Sequence, residues 1–117
     1  MSGKTSYLAG IAAENAVSVD YAQKGHDIAA RRWRGKGGEI DLVAKDGDGF
    51  IFIEVKKARD FARAAERLTK RQLFRIYNAA SEFVAQQPKG MLTPIRIDVA
   101  LVNQFGERKI IENVSAY

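Results

Sequence analysis

The chain contains no cysteine, a single histidine and no long apolar run. Without cysteine there are neither disulfides nor thiolate metal sites. No stretch approaches the ~20 apolar residues that a membrane-spanning helix needs, so no membrane partner is expected. Met1 to Gly10 has no apolar signal-peptide core, and a cytoplasmic location is expected. The histidine, His26, follows Gly25 at a helix exit, where a capping or surface role is expected rather than catalysis. Neither a histidine-based nuclease motif nor a Walker motif is present. Repeats, linkers and low-complexity segments are also missing.

What is present is a basic surplus. The 117 residues carry 19 Lys and Arg against 14 Asp and Glu, a net charge of +5. Such a balance favours anionic partners, nucleic acid foremost. The length suits one domain over residues 1–117, burying roughly two-thirds of the unfolded chain's surface.

The hydrophobic pattern predicts alternating helices and strands. A helix capped by Ser6 runs to about Gln23, with Leu8, Ile11, Ala12, Ala16 and Val19 as its apolar face. Gly25 stops it. Strands follow at Ile28–Arg34, Ile40–Ala44 and Phe50–Lys56, the last two joined by the turn Asp46-Gly-Asp-Gly49. Asp60 to Leu68 reads as helical at least in part. Thr69 and Gln72 form a capping box before a helix that packs through Leu73, Ile76, Tyr77, Ala80, Phe83 and Val84. Strands at Ile95–Val102 and Lys109–Val114 complete the order αβββαββ, an α/β fold with a mixed sheet flanked by helices.

The hairpin carries the chemistry. With Asp46 to Gly49 as its loop, Lys45 lies opposite Phe50, Asp41 opposite Glu54 and Glu39 opposite Lys56. Directly opposed residues have Cβ atoms about 4.5–5.5 Å apart, and like charges there destabilise unless compensated. Mg²⁺ or Mn²⁺ is the natural compensation, since hard cations take carboxylate, carbonyl and water oxygens. Asp41, Glu54 and the Val55 carbonyl are then the candidate ligands. Lys56 would polarise the attacking water or stabilise charge developing on phosphorus. The plainer alternative is a Glu39–Lys56 ion pair with Asp41 and Glu54 facing water. Phe50 to Ile53 lacks polar alternation, however, and a strand buried on both faces that ends in Glu-Val-Lys favours the metal reading. Glu14 shares a helical line with Val17 and Tyr21; it is either a third carboxylate of the site or a solvent-facing residue.

Glu14, then Gly38-Glu-Ile-Asp41, then Glu54-Val-Lys56 resembles the PD-(D/E)xK nuclease superfamily. The pattern is most similar to the small bacterial YraN-type proteins of the UPF0102 family, relatives of archaeal Holliday-junction resolvases. Arg32 to Val43 and Phe52 to Lys56 carry the resemblance most specifically. Ala79-Ala80, Arg96 to Val99 and Ile111 to Asn113 add to it. It implies a restriction-endonuclease-like core and metal-dependent hydrolysis of DNA phosphodiesters, branched or junction DNA included. Asp41, Glu54 and Lys56 match the metal and catalytic positions, and Glu14 the first-helix glutamate of the resolvase branch. Resolvase-like relatives pair as homodimers. Two departures stand out: Ala58 to Arg67 is rich in alanine and arginine, and Gln72 occupies a helix position where relatives commonly carry lysine. The role of Gln72 stays open. The competing function is a catalytically silent nucleic-acid-binding module on the same fold; another is an interaction protein with the acidic hairpin as its surface.

Phosphate contacts are expected from Arg32, Arg34 and Lys36 before the acidic strand, Lys57 after it, and Lys70 and Arg71 at a helix start. There a cation opposes the helix dipole, and a bound phosphate would offset the cost. Each also reads as an ordinary solvated charge. Trp33 either stacks on a base or joins the core.

Overall fold

A computed structural model describes residues 3–115, with side chains from Tyr7 onward. Helix α1 (Gly3–Gln23) precedes strands β1 (Ile28–Arg34), β2 (Glu39–Asp46) and β3 (Gly49–Lys57). Helices α2 (Phe61–Glu66) and α3 (Lys70–Ala85) and a 3₁₀ turn (Gly90–Leu92) lead to β4 (Ile95–Val102) and β5 (Arg108–Ile111). The expected α/β architecture is present: one sheet in the order β1-β2-β3-β4-β5, with only β3 and β4 parallel. The parallel pair requires a crossover, which α2 and α3 supply. The short α2 stands as a separate element, giving αβββααββ. This open mixed sheet is consistent with a restriction-endonuclease-like fold. Among the described residues, no helix is long and apolar enough to cross a membrane.

The central strand explains the layering. Along β3, Phe52 packs with Ile76, Ala80 and Phe83 of α3, while Ile51 and Ile53 pack on the other face with Ala13, Val17 and Tyr21 of α1. A strand sandwiched this way is apolar at successive positions, and Ile51, Phe52 and Ile53 are fully buried. Trp33 takes the core role, meeting Phe83 edge-on at 5.4 Å. The Thr69 hydroxyl accepts from Gln72 N–H at 3.1 Å, as its capping pattern predicts.

Four expectations about elements are overturned. Helix α1 begins at Gly3, ahead of the expected cap Ser6, whose side chain lies outside the described residues. Its buried face is Ala13, Val17 and Tyr21, while Leu8 and Val19 are 53% and 52% exposed. The helix is apolar around most of its circumference, so no stripe in the sequence singles out the packed side. Tyr77 is 38% exposed, and Ala79 is buried where the helix meets the sheet. Finally, β5 ends at Ile111 because the chain turns at Asn113 (φ +55). There Asn113 N–H donates to Asp98 Oδ1 at 3.0 Å and Val114 N–H to Ile97 O at 2.7 Å.

Asp98 is a fully buried carboxylate on the α1 face. Tyr21 O–H donates to it at 2.6 Å and Arg96 donates twice at 2.9 Å. Burial and the Asp98 hydrogen bond hold the Tyr21 phenol well above its ordinary range. The network ties α1, β4 and the C-terminal turn together.

Candidate functional site

The hairpin keeps the predicted register from Asp46–Gly49 back to Leu42–Ile53, where the paired residues end. Just beyond, the Asp41 side chain substitutes for the ladder: its Oδ2 accepts Val55 N–H at 2.8 Å. A backbone donor that sheet pairing would otherwise satisfy is thus held by a carboxylate. Asp41 also acts on the Glu54 carboxyl. Desolvation first, then the hydrogen bond and charge of Asp41, push Glu54 up to about 9, with Lys56 opposing and Glu14 adding to the rise. A shift of that size favours the protonated form of Glu54 at neutral pH.

Lys56 follows on the same strand. Its Nζ lies 3.0 Å from one side-chain atom of Gln72, whose other amide atom lies 2.8 Å from Arg67 O. An ammonium only donates and a carbonyl only accepts, so the amide oxygen faces Lys56 and its nitrogen faces Arg67. Turned the other way, the Gln72 oxygen accepts Thr69 N–H at 3.3 Å and completes the capping box instead. Gln72 thus links the start of α3 to the lysine.

One expected pairing is replaced, and Glu14 lies near the hairpin but in an ion pair of its own. Glu39 pairs with Arg34 (2.9 Å), not with Lys56. Glu14 accepts from Arg32 Nε at 3.0 Å and Nη2 at 3.4 Å. Arg32, expected on phosphate, reaches Glu14 from a left-handed backbone (φ +49), and its guanidinium lies 5.3 Å from the Tyr7 ring. That conformation costs a non-glycine residue about 1–3 kcal/mol and needs support from its surroundings. No three His, Asp or Glu side chains form a metal-binding cluster among the described residues. Lys36, Lys70 and Arg71 are exposed and Lys57 is half-buried.

The glycines before the acidic strand let that loop lie on α3. A Cβ at Gly35 would fall 1.8 Å from Glu82 Oε2 and 2.8 Å from the Trp33 ring. A cavity of about 190 Å³ then opens onto Glu54 between Gln72, Arg75 and Glu39. On the α1 side a larger cleft, about 570 Å³, reaches Glu14 and Lys56 and is walled by Gly10, Arg59, Arg67 and Gln104. Gln104 escaped sequence reasoning. It sits in the β4–β5 loop, and only a long-range backbone bond to Arg59 O (3.2 Å) brings it near.

Residues 13–102 match the family described as "Uncharacterised protein family UPF0102", a span that contains Glu14, Asp41, Glu54, Lys56 and Gln72. The chain is 57% identical over 116 residues to a UPF0102 protein of Cereibacter sphaeroides, covering 99% of both chains. It is 55% identical over 111 residues to one of Ruegeria pomeroyi, covering 95% of this chain and 90% of the relative. A UPF0102 protein of Dinoroseobacter shibae is 40% identical over 113 residues, covering 97% and 84%.

Proposed function

The chain belongs to the UPF0102 family, and from that membership and the hairpin geometry we propose that it is a divalent-metal-dependent endonuclease acting on DNA. The observation that carries this reading is the carboxyl pair at the end of the β2–β3 ladder. The Asp41 carboxylate accepts Val55 N–H at 2.8 Å and acts on the neighbouring, largely buried Glu54 carboxyl, and Lys56 stands two residues on, beside Gln72. The PD-(D/E)xK pattern of the sequence supports it.

The residues fit a hard cation. A largely buried carboxyl whose charge is disfavoured beside a second carboxylate marks a place where Mg²⁺ or Mn²⁺ can take the place of the proton, and such ions are commonly held by one or two carboxylates with waters and phosphate completing the shell. Asp41, Glu54 and the Val55 carbonyl would hold it, with Glu14 joining only once released from Arg32. When bound, the ion would supply an activated water and neutralise charge on the phosphate. The protein's own part is positional. Asp41 braces Val55 while presenting its carboxylate to Glu54, and Lys56 keeps its ammonium beside the pair by donating to Gln72. Lys36, Lys57, Lys70 and Arg71 would hold the DNA backbone without reading its sequence. A homodimer would present two such sites, one for each strand.

Incubation of linear and branched DNAs with Mn²⁺, Mg²⁺ or EDTA tests the reading. Wild type should cut only with metal, and Asp41→Ala, Glu54→Ala and Lys56→Ala should each fail while keeping the wild-type circular dichroism. Full cleavage by all three variants would remove the mechanism. The second reading, binding without turnover, draws on the Arg32–Glu14 pair that occupies a third carboxylate. It requires salt-sensitive DNA binding and no cleavage of any substrate.

A further inference from the structure

We infer that the 570 Å³ cleft between α1 and the end of β3 is a subsite for one unstacked nucleotide of a single DNA strand, next to the phosphate presented to Asp41, Glu54 and Lys56. The inference rests on the proposed DNA substrate and specifies how its strand lies. Three observations carry it.

The first is size and position. The volume falls within the range of pockets that enclose small organic ligands. It admits a base and sugar but not a duplex. Glu14 and Lys56 line the cleft as well as the site, so an occupant is continuous with the reacting phosphate.

The second is charge. Lys57, Arg59 and Arg67 line the cleft, and among the described residues none of them holds a carboxylate. By contrast, Arg32, Arg34, Arg63, Arg96 and Arg108 are each neutralised by an acidic partner. Free cations over a floor of Ala13, Val55 and Ala58 suit a ligand with an anionic backbone and an apolar face. The floor has no aromatic ring and few groups able to read base edges, so selection among bases should be weak.

The third is Gly10. A glycine inside a helix costs about 1 kcal/mol relative to alanine. Gly10 lines the cleft, and a Cβ built on it meets nothing within 4 Å, so the cleft wall has room for a side chain there. The same fact supplies the probe: Gly10→Leu narrows the cleft while raising helix propensity and leaves Asp41, Glu54 and Lys56 themselves unsubstituted.

The test is fluorescence anisotropy in EDTA, where cleavage plays no part, with labelled hexadeoxythymidylate and a blunt hairpin duplex as probes. Wild type should bind both. Gly10→Leu should lose at least tenfold in affinity for the single strand and less than twofold for the hairpin. Arg59→Ala and Arg67→Ala should each lower single-strand affinity and reduce its salt slope by about 0.7. A folded Gly10→Leu that binds the single strand like wild type, or loses both probes equally, overturns the subsite. If wild type cuts no DNA yet Gly10→Leu still discriminates between the probes, the nuclease reading fails and the subsite stands.

Discussion

Replacing Glu54 by glutamine should stabilise the metal-free protein at neutral pH. In the unfolded chain this carboxyl titrates near 4.5; in the fold, burial and Asp41 push it up to about 9. Below about pH 4.5 both states carry the proton and pH has no effect through this group. Between 4.5 and 9 only the folded state carries it, so stability falls as pH rises. Each pH unit in that window costs about 1.4 kcal/mol, and by pH 7 the loss accumulates to roughly 3 kcal/mol. Glutamine cannot ionise, and its amide can donate to Asp41 in place of the acid proton. In EDTA the two proteins should therefore melt together near pH 5 and diverge with pH, the variant leading at pH 7 by on the order of 10 °C. Adding Mn²⁺ should raise the melting temperature of wild type and leave Glu54→Gln nearly unmoved, because the ion takes the place of the lost proton only where both carboxylates can ionise. Thermal unfolding followed by circular dichroism from pH 5 to 8, with and without metal, reads all of this. Parallel pH profiles for the two proteins in EDTA would refute the raised Glu54 pKa.

Three further perturbations follow from other contacts. Arg32→Gln should free Glu14, tightening Mn²⁺ binding severalfold by calorimetry without DNA while weakening DNA binding; unchanged Mn²⁺ affinity would show that Glu14 is no latent ligand. Gly49→Ala places a Cβ 2.3 Å from the Pro94 carbonyl oxygen, which already accepts Phe50 N–H at 3.0 Å. Backbone must shift there, and urea unfolding should show a loss of about 1–3 kcal/mol. Tyr21→Phe removes the 2.6 Å bond to buried Asp98. It should cost about 1.5–3 kcal/mol at an unchanged denaturant slope, and a neutral result would mean that Arg96 and Asn113 suffice to hold that carboxylate.

Much of the middle of the chain was legible before any fold was seen. The Asp-Gly-Asp-Gly turn and the β-rich runs on either side determine the hairpin register, because turn length and side-chain alternation are properties of neighbouring residues. The apolar stripe of α3 is likewise local, and Tyr77 is its one misplaced member. The helix α1 face was not legible, because Leu8, Ile11, Ala12, Ala16 and Val19 compete evenly with Ala13, Val17 and Tyr21. Steric fit against Ile51 and Ile53 and the bond to Asp98 settle that competition, and these partners lie far along the chain.

By itself the sequence determined which residue types stand together on β2 and β3, hence the meeting of Asp41 and Glu54 and the nearness of Lys56. Only tertiary structure decided what those groups do while no ligand is bound. Arginine side chains are long and flexible and can close on a carboxylate that folding brings near, so Arg32 took Glu14 and Arg34 took Glu39. A cleft is the gap left between elements after they pack. Among the described residues, its cations at Lys57, Arg59 and Arg67 form no ion pair with an acidic side chain.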